Sequence, residues 1–259
     1  MPTPAPEEYP PALFLTCEGG VEATELTRGP WSHGVMHGGP ICGLMSWLIE
    51  RELDREDLIC SRYTVEILSG VPVGKLGVSA NVVKNGKRTA VAEASITHEG
   101  KLLARATSQW LSRPKDLTGK QISVPPIPSQ RANPGAHPDM EYPRPGFNAD
   151  AVELRVITGS TEESGPGLIW ARLDHALIAG ESASKFQQVA TLSDLGAAVG
   201  FEYAEGEQSF INTDVTLQLL RLPQSEWILL DSAVERSSTN LACCRTTVID
   251  EIGVIGWVL

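Results

Sequence analysis

No run of this 259-residue sequence approaches the roughly 18 uninterrupted apolar residues that a membrane-spanning helix needs. Basic residues are scarce as well: 21 Lys and Arg stand against 32 Asp and Glu, a formal net charge of -11. A surface of that sign repels phosphate backbones and anionic headgroups, which argues against nucleic acid and against the membrane as partners. An anionic small molecule would need a local basic patch working against the global field. Cysteine is limited to Cys17, Cys42, Cys60, Cys243 and Cys244, with one adjacent pair and no CxxC spacing. That pattern fits neither a disulfide framework nor a zinc site. Met1 to Pro11 carries no charged leader followed by an apolar stretch, so a reducing cytoplasm is the expected location. His33 and His37 share an i, i+4 spacing. Gly34, Gly38, Gly39 and Pro40 work against a helix there, and no HExxH acid accompanies them, so neither metal nor cofactor is expected. Gly180-Glu181-Ser182-Ala183-Ser184 lacks the closing glycine of a serine-hydrolase elbow.

What the chain does have is punctuation. Pro114, Pro125, Pro126, Pro128, Pro134, Pro138, Pro143 and Pro145 put 8 of its 18 prolines between Ser112 and Asp150. Proline breaks helices and central strands, so residues 113–150 read as a surface linker between an N-terminal unit, 1–112, and a C-terminal unit, 151–259.

The two units follow the same order. In the first, Gly39-Pro40 opens a helix carrying Ile41, Leu44, Met45 and Leu48 on one face. Strands follow through Tyr63–Ile67, Leu76–Val82, Arg88–Thr97 and Lys101–Leu111, with hairpin turns expected at Asn85-Gly86 and Glu99-Gly100. In the second, Ser184 and Gln187 form a capping box for a helix running through Phe186, Val189, Ala190 and Ala197. Strands through Val215–Leu219, Trp227–Arg236 and Leu241–Ile249 follow, then a turn at Glu251-Ile252-Gly253 and a last apolar run. Pro72 and Pro223 lie 151 residues apart, Gly100 and Gly253 lie 153 apart, and short strands precede each helix near Glu22–Leu26 and Ile169–Leu173. An antiparallel sheet can wrap such a helix and bury it, and pairing two of these units edge to edge covers exposed strand edges.

His37-Gly38-Gly39-Pro40, Leu192-Ser193-Asp194-Leu195, and Asn212-Thr213-Asp214 through Arg221-Leu222-Pro223 to Glu226-Trp227 resemble, in order and spacing, the double-hotdog acyl-CoA thioesterases of the type II class. The resemblance covers nearly the whole chain outside the linker. It implies an α+β double hotdog, two tandem repeats of a helix wrapped by antiparallel sheet. It also implies hydrolysis of an acyl-CoA thioester by an activated water, without a cofactor. The family's water is held by an Asp on the second helix, a Thr on the next strand and a Gln on the last strand. Asp194 matches the Asp. Asn212 stands at the Thr position with Thr213 beside it, and the Gln position falls past Leu259. The pseudo-equivalent position of the first repeat holds Gln109.

The chemistry can be stated from the residues too. A thioester carbonyl needs a base for water and N–H donors aimed at the developing oxyanion. Asp194 among apolar residues is the candidate base, its pKa expected to rise with burial, against a purely structural carboxylate. The amides after His37, at Gly38 and Gly39, open a helix and are the candidate oxyanion donors, against plain turn chemistry. Asn212 and Thr213 either order water or close a strand end. Cys243-Cys244 and Trp31, Trp47 and Trp110 read as core. A non-catalytic acyl-CoA binding protein and a hotdog hydratase remain alternatives. The hydratase pattern places a His after the Asp on one helix, which this chain lacks. A homodimer or higher homo-oligomer working in lipid metabolism is the expected assembly and setting.

Overall fold

The computed structural model describes residues 9–30, 34–113, 144–159, 166–197, 212–239 and 241–259. The first repeat runs β1 (Ala12–Cys17), β2 (Gly20–Ala23), α1 (Gly38–Leu53), β3 (Leu58–Ile67), β4 (Gly74–Asn85), β5 (Thr89–His98) and β6 (Lys101–Ser112). The second runs β7 (Val152–Thr158), β8 (Gly167–Leu173), a short β9 (Ala176–Ile178) and α2 (Lys185–Leu192). It continues through a 3-10 turn (Ser193–Leu195) to β10 (Asp214–Leu219), β11 (Ile228–Arg236), β12 (Ala242–Asp250) and β13 (Gly253–Val258). Most of the expected linker, with seven of its eight prolines, lies outside the described residues, as do Trp31 and His33.

Period-two alternation builds the strands. β5 turns Ala90, Ala92, Ala94 and Ile96 inward, and these small side chains let α1 pack closely across β4, β5 and β6. The Ser184–Gln187 capping box forms as read: Gln187 N–H donates to Ser184 Oγ at 3.1 Å and Ser184 N–H donates to Gln187 Oε1 at 3.2 Å. The second helix is interrupted and not continuous: α2 ends at Leu192, a 3-10 turn covers Ser193–Leu195, and Gly196 and Ala197 are helical again. The Thr191 hydroxyl donates back to the Gln187 carbonyl and that of Ser193 to the Ala190 carbonyl, each at 2.7 Å, and the helix tightens to 3-10 geometry at Ser193. One turn also differs. Both central residues adopt positive φ at Glu99 (50°) and Gly100 (76°), but neither Asn85 nor Gly86 does, because that loop extends to Thr89.

All thirteen strands among the described residues join one sheet in the order β7-β8-β11-β12-β13-β10-β3-β6-β5-β4-β2-β1-β9. Read outward from the β10–β3 seam, the two halves match strand for strand: β10 with β3, β13 with β6, β12 with β5, β11 with β4, β8 with β2 and β7 with β1. This pseudo-two-fold is the double hotdog. The seam is antiparallel, with Thr216 opposite Thr64 and Val215 opposite Val65. β9 departs from the symmetry by pairing in parallel with β1, at the far end of the sheet from β8. Only Asp174 and His175 separate β8 from β9, a reach of about 11 Å at 3.8 Å per Cα step, so the sheet curls until its ends nearly meet.

The helices fill the curl and touch each other. A Cβ on Gly43 would stand 2.3 Å from Thr191 Oγ1, so the glycine is what allows α1 and α2 to approach this closely. Phe186 of α2 packs edge-on against Tyr63 and Trp110 of the first repeat, with ring centroids 5.3 and 5.2 Å away. No described helix is long and apolar enough to cross a membrane.

Candidate active site

His37 is the N-cap of α1, extended at φ -70° and ψ 151°, and this start brings its ring to the second helical segment. Its Nδ1 lies 3.0 Å from Asp194 Oδ2, with both side chains buried. Asn212 Nδ2 donates to Asp194 Oδ1 at 2.7 Å. The Gly39 amide points into the same cluster, 3.1 Å from His37 Nδ1 and bonded to the Asp194 carboxylate. One ring nitrogen cannot donate to Asp194 and accept from Gly39 at once. An ionised carboxylate selects the Nδ1–H form, and the Gly39 amide then serves Asp194. The space is tight, since a Cβ on Gly38 would stand 2.5 Å from Asp194 Oδ2.

Burial pushes the Asp194 carboxyl up, but the charge and hydrogen bond of His37, the Asn212 carboxamide and the Gly39 amide outweigh it and hold the group below the usual carboxylate range. The expectation of a raised value is corrected on this point, for sequence reasoning counted the burial and not the partners. The anion bound at the positive end of α1 is thus a residue of the chain itself.

A cavity of about 170 Å³ opens on the other side of Asp194, with Asn212, Thr213, Cys244, Thr246 and Leu259 in its wall. Three of the sequence candidates, Asp194, Asn212 and Thr213, therefore meet at one cavity. The Thr213 hydroxyl donates to Asp214 Oδ1 at 3.1 Å. His37, Gly38 and Gly39 join the cluster from behind the carboxylate, outside the cavity wall. Gln109 is not brought in: strand alternation puts it on the face of β6 opposite buried Ser108 and Trp110, across from Arg62 and Val91. The cysteine pair also differs from a core reading. Cys243 is exposed, Cys244 is half-buried, and both line the cavity, because β12 begins at its mouth. Burial raises the Cys244 thiol, the Thr246 hydroxyl opposes, and Cys243 and Asp194 add to the rise, so it is no ready nucleophile.

Two groups escaped sequence reasoning. Asp250 is fully buried, taking two bonds from Arg221 at 2.7 and 2.6 Å and the amides of Gln224, Ile252 and Gly253 at 2.9, 3.0 and 3.1 Å. It fixes the return from β10 toward β11 and the β12–β13 turn. The Glu251-Ile252-Gly253 turn signal directly after it was the available clue. Glu50, on the last turns of α1, accepts from Ser184 Oγ at 2.6 Å and Gln187 Nε2 at 2.7 Å. Nothing in its local sequence marks it.

Sequence profiles of the acyl-CoA thioesterase N-terminal domain and C-terminal domain match residues 27–110 and 123–257. No curated protein sequence matches significantly. Among solved structures, a candidate thioesterase from Novosphingobium aromaticivorans is 20% identical with a TM-score of 0.70, over 95% of this chain and 96% of that one. The TesB protein of Mycobacterium avium subsp. paratuberculosis is 15% identical with a TM-score of 0.67, over 95% and 92%. A conserved protein with a hot dog fold from Alicyclobacillus acidocaldarius is 14% identical with a TM-score of 0.66, over 96% and 94%. At these identities the structures speak for the fold, while the two profiles speak for the family. The chain belongs to the acyl-CoA thioesterase family, and its chemistry is thioester hydrolysis.

Proposed function

We propose that the cavity beside Asp194 hydrolyses an acyl-CoA, with Asp194 taking a proton from the attacking water. The observation that carries this reading is a buried carboxylate, kept ionised by His37, Asn212 and Gly39, in the wall of a cavity. Water adds to the thioester carbon as its proton passes to Asp194. The tetrahedral intermediate then expels the CoA sulfur, which recovers that proton, and the acid is released. Asn212 gives one N–H to Asp194 and has a second for the carbonyl oxygen, with the Thr213 hydroxyl next to it. This reading takes Asn212 in place of the Gly38 and Gly39 amides as the oxyanion donor, because Asn212 lines the cavity and neither glycine does.

Asp194→Asn keeps shape and volume while removing the basicity. Thiol release from a panel of acyl-CoA esters is expected to fall about 10²–10⁴-fold, the usual worth of a general base. Turnover equal to wild type would make Asp194 structural. Binding without turnover in the wild type would make the chain an acyl-CoA binding protein. The His37–Asp194 pair favours one second reading, a hydratase that uses a His and an Asp from different helices. Formation of 3-hydroxyacyl product from an enoyl-CoA would identify it. A homodimer in the cytoplasm, acting on the acyl-CoA pool of lipid metabolism, completes the proposal.

A further inference from the structure

At the other end of the helix pair lies a second cavity of about 380 Å³. Three of its wall elements are the pseudo-two-fold counterparts of three beside Asp194. The Asp194 cavity is bounded by the end of the second helical segment, the start of β10 and the end of β13. The larger one is bounded by the end of α1 (Glu50, Leu53), the start of β3 (Leu58, Cys60) and the end of β6 (Trp110). The carboxylates correspond too. Asp194 meets the N-cap side chain of α1, His37, at 3.0 Å, and Glu50 meets the N-cap side chain of α2, Ser184, at 2.6 Å. A carboxamide completes each: Asn212 for Asp194 and Gln187 for Glu50, both at 2.7 Å. Position counting alone pairs Asp194 with Gly43 and so misses this, because the second carboxylate comes from two turns further along α1.

We propose that the Glu50 cavity is a second binding site for an acyl thioester of CoA, additional to the one at Asp194. Its volume falls within the roughly 300–1,000 Å³ of ligand pockets. Leu53, Leu58, Trp110 and Phe186 give it apolar walls for an acyl chain. Half-buried Lys185 lies on its rim and exposed Arg113 beside it, with the exposed acids Asp54 and Glu56 at the same mouth. No basic residue lines the Asp194 cavity among the described residues. Burial raises the Glu50 carboxyl, against the bonds from Ser184 and Gln187. The group therefore holds its proton to higher pH than Asp194 does, which suits it to binding a carbonyl and not to serving as an ionised base.

The inference rests on the Asp194 cavity being an acyl-thioester site, and stoichiometry separates the two. The intact chain is titrated calorimetrically with a short-chain S-(2-oxoalkyl)-CoA, in which a methylene separates the sulfur from a retained carbonyl and so prevents hydrolysis. Two equivalents are expected for wild type and for Asp194→Asn. One is expected for Leu222→Trp, which fills the second cavity and leaves thiol release at the wild-type rate. Lys185→Glu, which leaves the core intact, is expected to weaken only one of the two isotherms, by about tenfold. One equivalent in wild type, or two persisting in a folded Leu222→Trp chain, overturns the second site while leaving the Asp194 reading to its own variant. No binding at all overturns both.

Discussion

Asp194 Oδ2 lies 3.0 Å from His37 Nδ1, so the first turn of α1 holds a carboxylate that arrives from the other repeat. The pair sets both the position and the protonation of the candidate base, and the two can be perturbed separately.

Position is tested at Gly38, where a Cβ would stand 2.5 Å from Asp194 Oδ2 and 2.7 Å from its Cγ. Gly38→Ala is expected to displace the carboxylate and lower kcat by about 10²-fold, the cost of a misplacement of about 1 Å. Steady-state kinetics beside a far-ultraviolet circular dichroism spectrum read it. A folded variant with unchanged kcat would show that the register of Asp194 against α1 is irrelevant to turnover.

Protonation is tested at His37. Burial raises the Asp194 carboxyl and His37 supplies the largest opposing influence, so His37→Ala should let its pKa climb. A base must be ionised to work, so the acid limb of the kcat/KM–pH profile should move to higher pH. An unmoved limb would mean that another group titrates there.

Asp250 carries an acid-stability prediction. Burial raises its carboxyl, but Arg221 and the amides of Gln224 and Ile252 outweigh this and lower it. A folded pKa below the unfolded one contributes stability that is complete above about pH 4, near the unfolded value, and lost as pH falls through the folded value. Asp250→Ala should cost about 3 kcal/mol near neutral pH, by urea denaturation, and its stability should fall less steeply with acid than that of wild type. Parallel acid profiles would exclude Asp250 as a source of the pH dependence.

Leu68, Leu102, Leu220 and Trp257 are exposed among the described residues, consistent with the proposed self-association. Light scattering at micromolar concentration should give about twice the chain mass. A value of 27.9 kDa would refute the dimer.

Much of the architecture could be read from local signals. Alternation marked Tyr63–Ile67 and Val215–Leu219, Pro40 marked the first turn of α1, and Ser184 with Gln187 marked the start of α2. These depend on neighbours within a few residues, where sequence and geometry are closely tied. The site was legible as separate pieces. His37 and Asp194 were both candidates, but their contact spans 157 positions and exists only once the helices cross. Gly38 and Gly39 show the same limit: that they stand outside the cavity wall depends on how the two repeats pack and not on their local sequence. Glu50 looked like one polar residue in the charged run Glu50-Arg51-Glu52, and only the arrival of Ser184 and Gln187 gives it a role. Gln109 shows the converse: correct repeat counting, but a side chain on the wrong face of its strand.

The parallel pairing of Ala176–Ile178 with β1 bears on how such a chain is made. The N-terminal repeat leaves the ribosome first, yet the outer edge of its β1 stays unpaired until residues more than 150 positions later are synthesised. An open strand edge is a template for foreign strands, so this half is most vulnerable to aggregation in that interval. Scission between the repeats would not yield two independent halves. They would part only by tearing β9 from β1 and β10 from β3, and a gene split at that point should give two polypeptides that must be expressed together to stay folded.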